Sequence, residues 1–220
     1  MGHAFFAPSA IDWSMSETIA LIDFGAGNLH SVHNALVAAG AGNVAVTADP
    51  AVVARADRII LPGVGAFGAC RDALFAIDGM IDALEQRVRK DGVPFLGICV
   101  GMQMLADRGI EFGAHHGLGW IGGTVKAIEP TDATIKIPHM GWNDVTPTEG
   151  HDLLEPGEAY YLHGYHFDAV NADEILATTH HGGPLVSAVG RDNIVGVQFH
   201  PEKSQAYGLA FLRRFLEWKP

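Results

Sequence analysis

The chain has 220 residues, 48% of them hydrophobic and 18% charged, enough to bury a sizeable core and too apolar for a disordered tail. Its 14 basic against 25 acidic residues give a formal net charge of −11, which argues against a nucleic-acid binder and, more weakly, against an anionic membrane surface. With only Cys70 and Cys99 as cysteines there is no disulfide framework, a reducing and hence cytoplasmic setting is the simpler reading, and no apolar run is long enough to span a bilayer.

Residues 1–17 contain no Lys or Arg, and Pro8 and Asp12 interrupt their apolar stretch. They make a poor secretory signal and read as a loose extension, with Met15 an alternative start. Residues 18–220 read as one domain. Thr18 to Phe24 is an almost unbroken apolar run, as expected of a strand buried on both faces. Leu29 to Ala39 follows as a helix stopped by Gly40. Val44 to Thr47 and Arg58 to Leu61 read as strands, the second ended by Pro62-Gly63. Ala69 to Lys90 reads as helical with a break at Asp78-Gly79, Pro94 to Ile98 as a strand and Gly101 to Asp107 as a helix. This alternation with short connections specifies an α/β fold on a largely parallel sheet flanked by helices. After Gly117 the strands Trp120–Ile128, Tyr160–Tyr165, Glu174–Thr179, Leu185–Val189 and Ile194–Phe199 are expected, with hairpin turns at Gly182-Gly183-Pro184 and Arg191-Asp192-Asn193. The sheet is therefore mixed, with a partly antiparallel second half, and a helix from about Ser204 to Trp218 closes the chain.

The sharpest local feature is Gly97-Ile98-Cys99-Val100-Gly101. A buried strand runs straight into a nucleophile-type residue and then a helix, and the flanking glycines permit the tight turn of a nucleophile elbow. A helix N-terminus beneath the sulfur favours thiolate, the attacking species. Alone, such a cysteine reads equally well as a small buried hydrophobe. The second feature, Gly196-Val-Gln-Phe-His200-Pro-Glu202, changes that balance. A cysteine nucleophile needs a base, here His200, and the base needs an acid to hold its tautomer, here Glu202. Third, Leu61-Pro-Gly-Val64-Gly65 can turn backbone N–H groups toward the elbow, where with the N–H of Val100 they would stabilise a tetrahedral oxyanion. All three segments fall at the carboxyl ends of expected strands, where ligands of parallel sheets collect. The residues thus describe a Cys-His-Glu acyl-transfer enzyme working through a thioester, and leave the substrate open.

The motif G-I-C-V-G-M-Q with a distant H-P-E resembles the class I glutamine amidotransferases. Within them, Ile22–Val32 (IDFGAGNLHSV), Leu61–Gly68 (LPGVGAFG), Pro138–Asn143 (PHMGWN) and Gly196–Gln205 (GVQFHPEKSQ) resemble the glutaminase subunits of imidazole glycerol phosphate synthases. The resemblance runs from about Thr18 to the C-terminus. It implies glutamine hydrolysis with Cys99 as nucleophile, His200 as base and Glu202 as its orienter. Val64, after a rearrangement of its loop, and Val100 are implied as oxyanion donors. Gly65, Gln103 and Glu111 are implied against the glutamine, with Gly164 and Tyr165 along its carboxylate. Asn28, His139, Met140, Trp142 and Asn143 are implied to face a cyclase partner, a (β/α)8 barrel that receives the ammonia. No metal or organic cofactor is implied. The chain departs from the pattern at Gly164, where relatives usually carry Ser, and at Val100, where Leu is commoner.

Other features read more plainly. His115-His116 and His180-His181 are adjacent residues that diverge on a strand, so loop histidines are expected rather than metal pairs. Cys70 reads as packed helix. Gly25-Ala26-Gly27 lacks the third glycine of a dinucleotide loop, since residue 30 is His. The rivals to the main reading are a glutaminase serving a different synthase, a stand-alone cysteine hydrolase of related fold, and a regulatory subunit that has lost turnover; PGVGAFG with PHMGWN favours the imidazole glycerol phosphate branch.

Overall fold

The computed structural model describes residues 17–132, 134–148 and 150–220, so the reading of the N-terminal extension lies outside the described residues apart from Glu17. The strands β1 (Thr18–Ile22), β2 (Asn43–Thr47), β3 (Arg58–Gly63) and β4 (Phe95–Cys99) are joined by helices α1 (Leu29–Ala39), α2 (Pro50–Val53), α3 (Phe67–Phe75) and α4 (Met80–Leu84), the last continuing into a π-helical turn at Glu85–Lys90. The four-residue helix α5 (Val100–Gln103) follows β4 directly, and then come β5 (Arg108–Gly109), β6 (His115–His116), β7 (Gly123–Ala127), β8 (His139–Pro147), β9 (Gly157–His163), β10 (Tyr165–Ala169), β11 (Ile175–His180), β12 (Pro184–Arg191), β13 (Ile194–Val197) and α6 (Gln205–Glu217).

One nine-stranded sheet has the order β2-β1-β3-β4-β13-β12-β11-β8-β9. The pairs from β2 to β13 are parallel, and those from β13 to β9 are antiparallel. A separate sheet of four strands has the order β10-β7-β5-β6. Both hairpin turns join antiparallel neighbours, and Gly182 (φ 68°), Gly183 (φ 153°) and Asp192 (φ 53°) supply the left-handed backbone they require. Every residue of β3, β4 and β13 is buried, which accounts for their continuous apolar runs. Helices α1 and α6 pack together, burying Val32, Ala35, Leu36 and Ala39 from one and Gly208, Phe211, Leu212 and Phe215 from the other. Both sets follow the i, i+3, i+4, i+7 spacing of a single helical face.

Several elements depart from the sequence reading, each for an identifiable reason. The expected helix Gly101–Asp107 stops at Gln103, because the carbonyls of Met104, Leu105 and Ala106 are taken by the amides of residues 118–121 instead of by their own helix. The long helix expected over Ala69–Lys90 starts earlier, at Phe67, whose N–H donates to the distant Glu111 carboxylate at 2.7 Å; α4 begins beyond Gly79 (φ 76°), at the expected break. The strand expected from Tyr160 through Tyr165 divides at Gly164 into β9 and β10, which belong to different sheets. The sequence PHMGWN lies largely in β8, a strand that composition did not signal, and His115-His116 form β6 against Arg108-Gly109 instead of a loop.

Candidate active site

The parallel register sets the site. Gly63 lies opposite Cys99, and Val197 opposite Ile98, so the ends of β3, β4 and β13 finish side by side. The PGVG loop, the elbow and the HPE segment consequently emerge together at one edge of the sheet, as their placement after strands requires.

Cys99 sits at φ 55°, ψ −110°, a left-handed conformation that a non-glycine residue holds only under constraint from its surroundings. The glycines on either side permit that constraint. A Cβ on Gly97 would come within 2.6 Å of the Gly101 carbonyl oxygen, and a Cβ on Gly101 would lie inside the Leu61 carbonyl. The G-x-C-x-G spacing is thus a requirement for the backbones of β3, β4 and α5 to meet beneath the sulfur. Because α5 has four residues, its dipole is short, and activation of the cysteine rests more on a neighbouring base than it would beside a full helix.

That role falls to the histidine. His200 Nδ1 lies 2.9 Å from Glu202 Oε1, both side chains being almost wholly buried. Burial pushes the imidazole pKa down, yet hydrogen bonds to Cys99 and Glu202, and their charges, raise it on balance from 6.5 to about 9. The second carboxylate oxygen of Glu202 is buried and has no hydrogen-bond partner, so His200 is its main electrostatic compensation. The carbonyl of His200 accepts from Ser204 Oγ (2.7 Å), and its N–H donates to the Tyr160 carbonyl (2.9 Å), anchoring the segment to β9.

Cys99 and His200 open into a cavity of about 280 Å³, also lined by Val64, Gly65, Val100, Gln103, Glu111, Gly164 and Tyr165, all singled out from sequence, and by Pro138, Leu162, His163 and Lys203, which were not. Glu202 stands behind His200. The Val64 carbonyl accepts from the Cys70 thiol at 3.2 Å, so Cys70, besides being packed, tethers the PGVG loop; burial raises its pKa to about 11. Glu111 reaches the cavity while tying the same loop through Phe67. Gln103 spends its amide hydrogens on the Tyr165 carbonyl and on Gln198 Oε1, both at 3.0 Å, and Gln198 Nε2 lies 3.7 Å from the Cys99 sulfur. Gln198 belongs to the H-P-E motif, two residues before His200, and that period-2 spacing was the available signal for it.

Of the residues expected to face a partner, Met140 and Trp142 are exposed, Asn28 and Asn143 are half-buried, and His139 is buried at 3% exposure. Alternation along β8 explains the division: His139 and Val145 point inward while Met140 and Trp142 point out. His139 therefore lies beneath that surface and not on it. The paired histidines diverge at the end of β11: His180, its last residue, is exposed, whereas His181, one residue beyond the strand, stacks on His139 with ring centroids 4.2 Å apart.

A family model for glutamine amidotransferase class-I matches residues 20–218. The chain belongs to the class I glutamine amidotransferases. An "Imidazole glycerol phosphate synthase subunit HisH" of Zymomonas mobilis is 60% identical to it over 208 residues, covering 93% of this chain and 98% of that protein. A subunit of the same name from Rhodospirillum rubrum is 52% identical, covering 92% and 99% respectively. Among solved structures, PurLQS from Thermotoga maritima superposes with a TM-score of 0.70 at 17% identity, over 92% of this chain and 99% of that one, a likeness of fold. In this amidotransferase no helix among the described residues is long and apolar enough to cross a membrane.

Proposed function

We propose that residues 18–220 act as one glutaminase domain that hydrolyses L-glutamine to glutamate and ammonia and delivers the ammonia to a separate cyclase subunit, which forms imidazole glycerol phosphate in histidine biosynthesis. The observation that carries the reading is a cysteine held in a strained elbow, sharing a cavity of amino-acid size with His200, whose Nδ1 is held by the buried Glu202 carboxylate. The cavity presents a carboxylate, Glu111, and an ammonium, Lys203, which suits a zwitterionic substrate.

In this reading the Cys99 thiolate adds to the side-chain amide carbon of glutamine. The N–H groups of Val100 and of a rearranged Val64 loop receive the oxyanion. The His200 imidazolium gives its proton to the departing nitrogen, ammonia leaves, and a glutamyl thioester remains. Water then adds to the thioester while His200 takes its proton, and the C–S bond breaks to return the thiolate and release glutamate. Glu202 holds the imidazole tautomer throughout and balances the imidazolium. The steps ask for no metal or organic cofactor, and the setting is the cytoplasm.

Support for the cyclase partner comes from the names of the relatives and from the apolar outer face of β8 and β9. There Met140, Trp142 and Leu162 are exposed at 65%, 46% and 37%, next to the cavity wall at Pro138 and Leu162. A (β/α)8 barrel docked on that face would receive ammonia directly. A glutaminase working alone would waste glutamine, so turnover is low for the isolated chain and rises when the partner binds its phosphoribosyl nucleotide. The test is glutamate release from glutamine by the chain alone and with the liganded cyclase. Stimulation in the second case, abolished by Cys99→Ala, is the expected result. Equal rates in both would overturn the coupling, and turnover by Cys99→Ala would overturn the catalytic assignment.

A further inference from the structure

The inner face of the β8–β9 pair holds polar side chains where a sheet facing a core would carry aliphatics. His139 and His163 lie directly opposite each other in register, 3% and 6% exposed, with His139 Nδ1 3.0 Å from His163 Nε2. The bonding around them leaves one proton arrangement. His163 Nδ1 meets the Tyr165 carbonyl at 2.9 Å, and a carbonyl only accepts, so Nδ1 carries the hydrogen. Burial lowers the pKa of His163 to about 3 and that of His139 to about 4, so both rings are neutral. The Nε2 of His163 is then a bare acceptor, and His139 Nδ1 must donate to it. His139 Nε2 is in turn an acceptor and receives Asn143 Nδ2 at 3.0 Å.

Neither end of the chain is loose. The other amide hydrogen of Asn143 goes to the His180 carbonyl at 3.0 Å, and its oxygen accepts the Asp144 N–H at 2.9 Å. The His139 ring is sandwiched between Tyr161 and His181, at centroid distances of 4.7 and 4.2 Å with interplanar angles of 18° and 20°. At the far end the Tyr165 carbonyl also accepts from Gln103, which donates to Gln198, which reaches the Cys99 sulfur. An unbroken run of hydrogen bonds, whose donors converge on the Tyr165 carbonyl from both sides, therefore links β8, whose neighbouring residues Met140 and Trp142 are exposed, to the nucleophile.

We propose that His139 and His163 are positioning residues: a neutral pair of imidazoles that fixes the Tyr165 carbonyl and, through Gln103 and Gln198, the placement of the Cys99 sulfur, so that displacement of β8 is felt at the thiol. The proposal deepens the glutaminase reading and rests on it for the role of Cys99. A purely apolar filling of the same space would be a simpler way to stabilise the sheet, and an interior pair that satisfies every donor and acceptor specifies one geometry instead.

The test compares His139→Phe, which keeps the stack between Tyr161 and His181 but removes both hydrogen bonds, with His139→Asn, which keeps a donor near the Nδ1 position. Two readouts are taken on the full chain: kcat and KM for glutamate release with the liganded cyclase, and the rate at which iodoacetamide alkylates Cys99, followed by intact mass. For the folded Phe variant kcat falls about tenfold or more with KM little changed, the size expected for small misplacement of a reacting group, and the alkylation rate shifts several-fold; Asn recovers part of both. Asn143→Leu, at the surface end, moves both in the same direction by less and stands in if His139→Phe does not fold. Alkylation and kcat within about twofold of the parent in folded His139→Phe, or in Asn143→Leu where that variant stands in, would overturn the proposal. Alkylation needs no turnover, so a parent chain inactive on glutamine that still shows the alkylation shift would leave the relay standing and count against the glutaminase reading alone.

Discussion

The His200–Glu202 couple sets a pH dependence that can be worked out in advance. A rise in the imidazole pKa from 6.5 to about 9 corresponds to roughly 3 kcal/mol favouring imidazolium in the folded chain. Desolvation opposes that rise, so the favourable part supplied by Cys99 and Glu202 is larger still. Glu202→Gln keeps the side chain's shape and can keep a hydrogen bond to Nδ1, but it removes the carboxylate charge. The sulfur then sustains the imidazolium alone against an unchanged burial penalty, and the His200 pKa falls by about 1–2 units. Departure of ammonia needs the imidazolium proton, so kcat/KM for glutamate release declines above about pH 9 in the parent chain, and the decline moves to lower pH in the variant. Stability follows the same sign. A folded pKa above 6.5 contributes fully below 6.5 and is lost as pH rises through about 9, so urea denaturation should give a less stable parent at pH 10 than at pH 7 through this group. The assay is a pH profile of kcat/KM with the liganded cyclase, paired with an NMR titration of the His200 ring. A variant whose limb stays near pH 9 would refute the reasoning, because it would mean that Glu202 contributes nothing to the charge on His200.

Three further outcomes follow from the geometry. Gly101→Ala places a Cβ inside the Leu61 carbonyl, so β3 and α5 must separate; a loss of about 4 kcal/mol or more in chemical denaturation is expected, and a variant as stable as its parent would contradict the close packing of the elbow. At Gly164 a Cβ finds only ordinary contacts, Ile137 Cγ2 at 3.7 Å and Pro138 Cβ at 4.0 Å, so Gly164→Ser folds normally and its added hydroxyl lowers KM for glutamine by about threefold to tenfold; an unchanged KM would show that the hydroxyl makes no contact with substrate. Met140→Lys leaves the isolated chain's melting temperature unaltered, since Met140 is 65% exposed, but weakens cyclase binding about tenfold or more by titration calorimetry; unchanged affinity would place the partner elsewhere.

The difference between what was legible in the sequence and what was not lies in the range of the interactions. The elbow was legible because its requirements are local: glycines two residues either side of Cys99, then a helix start. The carboxyl-edge convergence of PGVG, Cys99 and His200 followed from parallel strand order, which apolar runs reveal. The length of α5 was not legible, because the amides that capture Met104, Leu105 and Ala106 belong to residues 118–121. The same holds for β8, whose inward row includes the buried His139 and the half-buried Asn143, side chains that no hydrophobic alternation would mark as inward. Both omissions come from hydrogen bonds that distant residues complete, backbone ones at α5 and side-chain ones at β8. A polar side chain is admitted to an interior only when distant residues complete its hydrogen bonds, so the polar framework around the thiol is written in long-range pairs such as His139 with His163 and Gln103 with Gln198. Chemistry that depends on residue type and spacing is visible along the chain. The support that holds the reacting atoms in place becomes visible only when β8, β9, α5 and β13 are assembled, and it is there that substitutions remote from Cys99 are expected to change its reactivity.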